Sequence, residues 1–342
     1  MSKKETKIMP SEAQEANRDC DVEYVPINIQ KFRNCIREIP IDVYLKLPNN
    51  NFAHVFSKET GIDYERLAQY VLKGVRQLYV KGDERAQLDR YFLKTNQEII
   101  KDDKVPQELK IKTLYNMTEQ NLSELFQSLK IQEDTSQGTV RIVNNLVDFL
   151  TKSPKSLSIL MKLASSGENY HYYHAVSSAV LSLFLAKASG QCSQKNLETI
   201  GLGAFLHDIG MAQIPDEIIN SPNLLTEEEW QIVREHPRVG MSMLDTVSNV
   251  PDEVKYIVYQ HHEEPRGNGY PNGLSGSVIY HPAKIVSLGE SFASLITARP
   301  YRPAYTLSEA IEILKSEKGK YDRKLLETLE ILIEMIKLKK IS

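Results

Sequence analysis

The spacing of apolar residues changes period near Glu84, and this change constrains the fold more than any other feature of the chain. Before it, Asp42–Leu47 (DVYLKL), Asn51–Ser57 (NFAHVFS) and Arg76–Lys81 (RQLYVK) carry the β-branched and aromatic residues of short strands. Between them Asp63–Leu72 reads as a helix, capped by Asp63 and closed by Gly74. After Glu84 the strand signal disappears. Leu109–Leu129 and Val140–Leu150 repeat apolar residues at three- and four-residue spacing, which marks amphipathic helices. The expected class is α+β overall, with a small N-terminal α/β domain followed by an all-α bundle. The expected divisions are a polar, disordered arm over 1–20, the α/β domain over 21–83, a helical connector over 84–135 and a helical domain over 136–342.

Composition serves mainly to exclude. The net charge of -3 gives no global basic field, so a DNA or RNA duplex is not an expected partner, although a local pocket for a small anion stays open. Cys20, Cys35 and Cys192 are too scattered for a zinc ribbon or a disulfide framework, which points to a reducing, cytoplasmic setting. The opening MSKKETKIMP lacks the apolar stretch of a secretory signal. The most apolar segment, Ala179–Ala186, is too short to span a bilayer, so no membrane partner is expected.

Of the eight histidines only His54, in a predicted strand, lies outside 171–281. Imidazole and carboxylate hold divalent transition metals with open coordination positions. His174 opens an apolar helix that ends at Gly190, and the His207-Asp208 pair ends another, NLETIGLGAFLHDIG. Neighbouring helical residues point about 100° apart, so both can reach one ion only if the helix lies close beside it. Gly201, Gly203 and Ala204 permit that close packing. A single histidine on an apolar helix is ordinarily a packing residue. The conjunction of His174, the His207-Asp208 pair, His236, the His261-His262 doublet and a later acid in one helical domain is what points to metal. An aspartate has two oxygens and can bridge two ions, an arrangement suited to phosphoester hydrolysis. His171, His281, Tyr172, Tyr173, Trp230 and the lysines at 337, 339 and 340 read as packing or solvated residues.

The motifs then resemble a known family. GAFLHDIGMAQIPDEI, LTEEEWQIVREHPRVGMSML (225–244), HHEEPRGNGYPNGLSG (261–276) and RPYRPAYT (299–306) are similar to segments of the HD-GYP subgroup of HD-domain phosphohydrolases, over roughly 165–325. The resemblance implies an HD-type helical bundle in which His174, His207, Asp208 and Glu290 form one metal site. Asp208 would bridge to a second ion held by His236 and by His261, His262 or both. Arg299 and Arg302 would hold substrate phosphates, and Tyr270 would lie in the loop over the substrate pocket. It further implies two divalent ions, iron or manganese, and cyclic di-GMP as substrate, hydrolysed to linear pGpG and on to GMP, with His207 and Asp208 at the catalytic centre. Homodimerisation and signalling partners at the GYP loop belong to the same expectation.

Several positions depart from that pattern. The family's lysine after HDIG is Met211 here, its late metal aspartate is Glu290, and Glu264 and Arg266 alter the charge order after the histidine doublet. The position of the extra acid found in three-metal members is Tyr170, which favours two ions. A second reading is therefore kept, a weak or inactive member that binds cyclic di-GMP as a sensor or signalling scaffold. A hydrolase for another nucleotide is a third.

Overall fold

The computed structural model describes residues 22–34, 38–102, 104–106, 109–110, 112–114, 116–117, 143–145, 147, 170–219, 221, 223–247, 250–298 and 302–338, with the side chains of 33–34, 170–173 and 336 left aside. The expected arm over 1–20, Cys20, Cys35, Arg299, Lys339, Lys340 and most of the helices expected over 109–129 and 140–150 lie outside these residues, as do the side chains of His171, Tyr172 and Tyr173.

The chain divides into two units, Met1–Val105 and Pro106–Ser342. The first holds strands β1 (Tyr24–Asn28), β2 (Val43–Lys46), β3 (Phe52–Phe56) and β4 (Gln77–Lys81), with helices α1 (Tyr64–Leu72) and α2 (Arg85–Lys101). The strands form one sheet in the order β1-β4-β2-β3, and every pairing is antiparallel. Strand alternation turns Ile27, Val43, Val55, Leu78 and Val80 to a common core. Asp63 caps α1 through Oδ1, which accepts from the amides of Glu65 (3.0 Å) and Arg66 (3.1 Å), and Gly74 takes a φ of 80° just past its end.

Two features of this unit differ from the sequence expectation. Strand β1 was not anticipated, because Pro26 interrupts its pattern. Its place at the sheet edge makes the missing amide tolerable. The helical connector expected from residue 84 begins instead as part of the first unit. Leu88 and Phe92 of α2 are buried in the sheet's core, with Phe92 edge-on to Phe32 at 5.4 Å. An apolar stripe on α2 covers a sheet face that would otherwise meet water.

The second unit is helical. Its named helices are α3 (Tyr170–Ala188), α4 (Gln194–Leu206), α5 (Asp216–Ile219), α6 (Glu227–Arg234), α7 (His236–Asp245), α8 (Asp252–Gln260), α9 (His281–Ile296), α10 (Leu307–Ser316) and α11 (Arg323–Lys337). A 3-10 turn over Ile209–Gln213 follows α4. Close helix approach depends on glycine. A methyl at Gly203 of α4 would lie 2.6 Å from Ile257 Cγ2 of α8, and one at Gly210 would lie 2.7 Å from the Gly240 amide of α7. Helix α9 meets α3 in the same way, because a methyl at Gly289 would lie 3.0 Å from the Ser182 amide. These contacts draw α3, α4, α7, α8 and α9 around one interior. Among the described residues no helix is long and apolar enough to cross a membrane.

Candidate metal centre

Three helices end facing the same point. Helix α4 ends at Leu206, α6 at Arg234 and α8 at Gln260, and each is followed within two residues by a histidine. The last carbonyls of a helix have no intrahelical partner. Here each takes an imidazole. Nδ1 of His207 donates to Ala204 O at 2.7 Å, that of His236 to Val233 O at 2.8 Å, and that of His261 to Val258 O at 2.7 Å. A carbonyl can only accept, so this bond places the neutral ring's proton on Nδ1 and leaves a lone pair on Nε2. The tautomer is thus set by helix ends, and the three Nε2 lone pairs are aimed inward.

The inward atoms converge. Nε2 of His236 and His261 are 3.2 Å apart. The Asp208 carboxylate stands between both halves of the cluster, with Oδ2 3.2 Å from His207 Nε2 and 3.9 Å from His174 Nε2. Its Oδ1 lies 3.4 Å from His236 Nε2 and 3.9 Å from His261 Nε2. Glu290 Oε2, on α9, is 3.9 Å from His174 Nε2. Two groups of donors result, Asp208 with His236, His261 and His262, and His174 with His207 and Glu290, and within each the donor atoms lie within 4.8 Å of one another. Donors held about 2.1 Å from one ion sit roughly 3.0–3.4 Å apart at right or tetrahedral angles and farther apart at wider ones. The observed separations fit. Two lone pairs 3.2 Å apart repel unless a cation or a proton lies between them, so the donor set is built around positive charge.

Protonation follows the same logic. Burial alone would lower the pKa of His207, but the adjoining Asp208 carboxylate outweighs it and carries the imidazole up to about 9. Burial works against ionising Asp208, yet the surrounding imidazoles, His207 first, hold it well below the usual carboxylate range. His261 and His262 are pushed far down by burial and by neighbouring imidazoles, and His236 is lowered by burial. These rings are neutral and ready to ligate. Burial raises Glu290 to about 7, and the Ser291 hydroxyl donates to its Oε1 at 2.9 Å.

A loop covers the centre on the His262 side. Tyr270 stacks on the His262 ring at 4.6 Å with planes 29° apart, and its amide donates to His262 O at 3.1 Å. A side chain at Gly269 would meet backbone, with Glu263 Cα only 2.6 Å from a methyl there, so only glycine lets the loop close this tightly. The Tyr270-Pro271 peptide is cis. Glu263, 1 % exposed, anchors the far side of the loop. Its carboxylate accepts from the amides of Asn272 (2.8 Å) and Leu274 (2.7 Å). Arg238 of α7 adds bonds to Pro271 O at 3.2 Å and Asn272 Oδ1 at 3.4 Å.

All seven expected metal ligands, His174, His207, Asp208, His236, His261, His262 and Glu290, fall in these two donor groups. Both doublet histidines join the group around Asp208, where the sequence had left one or both open. Tyr270 lies against that group. Arg302 is placed otherwise than as an arm reaching the donors. Its Nη1 and Nη2 donate to the carbonyls of Leu295, Pro303 and Ser294 at 3.1, 2.9 and 2.7 Å, and its guanidinium lies 4.7 Å from the Tyr305 ring. Arg299 is outside the described residues. Sequence reasoning passed over Glu263. Its one signal was an acid directly after the histidine doublet, and the amides it gathers are nine and eleven residues on.

Residues 159–325 match the family model described as an HD domain. A cyclic di-GMP phosphodiesterase of Pseudomonas aeruginosa is 33% identical over 183 residues, which cover 52% of this chain and 44% of that protein. A cyclic di-GMP phosphodiesterase response regulator of Xanthomonas campestris is 37% identical over 129 residues, covering 37% of this chain and 34% of the relative. A 3'3'-cGAMP-specific phosphodiesterase of Vibrio cholerae is 30% identical over 219 residues, 63% of this chain and 42% of the relative. The chain thus spans less than half the length of each of these proteins. In fold it is similar to an HDG"Y"P protein from Bdellovibrio bacteriovorus, with a TM-score of 0.71 at 22% identity over 91% of this chain and 100% of that one.

Proposed function

Residues 159–325 belong to the HD-domain family, in its HD-GYP form, and from that premise we propose that the chain is a metal-dependent phosphodiesterase acting on cyclic di-GMP. The observation that carries the proposal is the set of Nε2 lone pairs locked inward by helix-end carbonyls around one shared carboxylate.

His174, His207 and Glu290 would hold one divalent ion, and His236, His261 and His262 a second, with Asp208 shared between them. Imidazole and carboxylate donors suit iron or manganese. Such ions supply Lewis acidity toward a phosphoryl oxygen and lower the pKa of a water. The chain's own groups do the rest. The helix-end carbonyls keep each ring oriented without cost at the moment of reaction. Tyr270, stacked on His262, would offer its other ring face to a bound nucleotide and limit water there. The P–O3′ bond breaks, the water oxygen becomes part of a 5′ phosphate, and the 3′ oxygen leaves with a proton. The product is linear pGpG, with GMP after a second cleavage. Arg299 belongs to the same reading as a phosphate-holding group. Arg302, tied to carbonyls, would act as a fixed positive charge.

A second reading, a slow or inactive protein that binds the nucleotide as a sensor and signals through the GYP loop, as a monomer or homodimer, is favoured by one observation. Met211, in the 3-10 turn directly after Asp208, offers no cation beside the centre.

The test is anaerobic purification, loading with Fe(II) or Mn(II), and incubation with cyclic di-GMP and, separately, 3'3'-cGAMP. Linear product from cyclic di-GMP is expected, and it should disappear in a variant carrying His207→Ala and Asp208→Ala. Tight nucleotide binding with no turnover under either metal would favour the sensor. Full metal content in the double variant would refute the ligand assignment.

A further inference from the structure

The loop that covers the metal centre is fastened away from the centre as well as at it. Its two arms meet at a stem, where Arg266 pairs with Ser275 in an antiparallel bridge and the Gly276 amide donates to Pro265 O at 3.0 Å. From this stem Arg266 reaches the turn between α10 and α11. Its amide donates to Gly319 O at 3.1 Å, its Nη1 to Lys318 O at 3.3 Å and its Nε to Glu264 Oε2 at 2.6 Å. Gly319 has a φ of 77°, and a methyl there would lie 3.4 Å from Arg266 Cβ, so the arginine stem packs on the turn.

The turn is itself held firmly. Glu317 accepts from Lys320 Nζ at 2.7 Å through Oε1 and from the Tyr321 hydroxyl at 3.0 Å through Oε2, and Tyr321 is buried. The Asp322 carboxylate next to it lies 3.9 Å from Lys284 Nζ of α9, the helix that carries Glu290. Arg266 therefore links the loop that follows His261-His262 to a turn tied to the helix of Glu290, and these ligands belong to different donor groups. The charge order in the loop matters for this link. Glu264 and Arg266 would attract one another in either order, but a carbonyl only accepts, so only a donor at 266 can bond Lys318 O. A carboxylate at that place would face the oxygen and be repelled by it. The planar guanidinium meets the acid and the carbonyl with separate N–H groups in fixed directions.

We propose that Arg266 is a positioning residue for the substrate: by bracing its loop against the α10–α11 turn, it fixes where the Tyr270 ring stands over the centre. The identity of the substrate rests on the phosphodiesterase reading, and the test separates the two.

The Mn(II)-loaded protein is measured by hydrogen exchange and by KM for cyclic di-GMP, or Kd where nothing turns over. The Arg266 side chain is 42% exposed, so Arg266→Gln should fold. It should speed exchange at the Tyr270 and Gly276 amides about tenfold, the size of one charge-assisted hydrogen bond at a half-exposed site, and leave α3 unaffected. KM should rise about five- to tenfold for the same reason, with kcat changed by less than about twofold and metal content preserved. Exchanging the pair, Glu264→Arg with Arg266→Glu, keeps the attraction but loses the donor to Lys318 O, and should match Arg266→Gln rather than wild type. Unaltered loop exchange or unaltered KM in Arg266→Gln overturns the proposal. So does exchange that rises equally in α3, which would make the arginine a support for the whole unit, and so does an exchanged pair with wild-type behaviour. Loop exchange and nucleotide binding that depend on Arg266, in a protein that leaves cyclic di-GMP intact, would count against the phosphodiesterase reading alone.

Discussion

The Gly203–Ile257 contact allows a direct test of whether helix spacing sets the metal geometry. A methyl introduced by Gly203→Ala would lie 2.6 Å from Ile257 Cγ2, 2.7 Å from Cδ1 and 2.8 Å from Cβ. Unstrained carbon contacts begin near 3.5 Å. Rotating the isoleucine moves Cγ2 and Cδ1 but not Cβ, and Ile257 is fully buried. Helices α4 and α8 must therefore part by roughly 0.7 Å at this point, the shortfall of the Cβ contact from that limit. His207 lies four residues beyond Gly203 and His261 four beyond Ile257, so both ligands sit about one helical turn from the wedge. Overpacking of this kind costs about 1–3 kcal/mol, or roughly 3–10 °C in Tm for a unit of this size. The displaced ligands should lose about ten- to a hundredfold in metal affinity, the usual cost of disturbing the groups that orient ligands. Ile257→Ala alone should cost about 2–5 kcal/mol through the cavity it leaves. In the double variant the new methyl occupies that cavity, so the combined cost should fall short of the sum by about 1–3 kcal/mol. Urea denaturation of the four proteins, with metal content after dialysis, measures both effects. A Gly203→Ala protein with wild-type stability and metal content, or strictly additive costs, would refute the reasoning.

Removing the bridging charge by Asp208→Asn should strip both ions on dialysis. In the metal-free protein it should also bring the His207 pKa down from about 9, since burial then meets only the weaker opposition of Glu290 and the Ala204 carbonyl, and imidazole NMR titration would show it. The pH dependence has a defined sign. His207 binds its proton more tightly folded than unfolded, so the metal-free protein should lose stability as pH rises from 7 to 9. Metal must displace that proton, so affinity at the His174–His207–Glu290 group should rise about tenfold per pH unit over the same window, and competition titrations with a chelator would check it. A flat profile would contradict the assigned protonation. Glu263→Gln turns an amide N–H2 or a single oxygen toward two backbone donors, leaving one of them unpaired. It should raise KM about tenfold and increase hydrogen exchange at Asn272 and Leu274, with metal content preserved.

Much of this protein was legible in its sequence because the signals were local. Alternation marked β2, β3 and β4, Asp63 and Gly74 marked the ends of α1, and the conjunction of His174, the His207-Asp208 pair, His236 and the His261-His262 doublet marked the cluster of donors that could hold metal. Strand β1 escaped because Pro26 breaks the pattern and only an edge position excuses it. The role of α2 escaped because an amphipathic stripe does not say which surface it will cover.

The sequence by itself determined which side chains could take part, since donor chemistry belongs to residue type, and where helices would start and stop. Only the tertiary structure decided what those donors do. It decided that Ala204, Val233 and Val258 carbonyls orient three imidazoles, that Asp208 faces both donor groups, and that the Glu263 carboxylate gathers the amides of Asn272 and Leu274. The physical reason is distance along the chain. A helix end leaves its last carbonyls unpaired whatever the sequence, but which imidazoles meet beyond them depends on how closely α3, α4, α7, α8 and α9 can pack, and that rests on glycines whose partners lie tens of residues away.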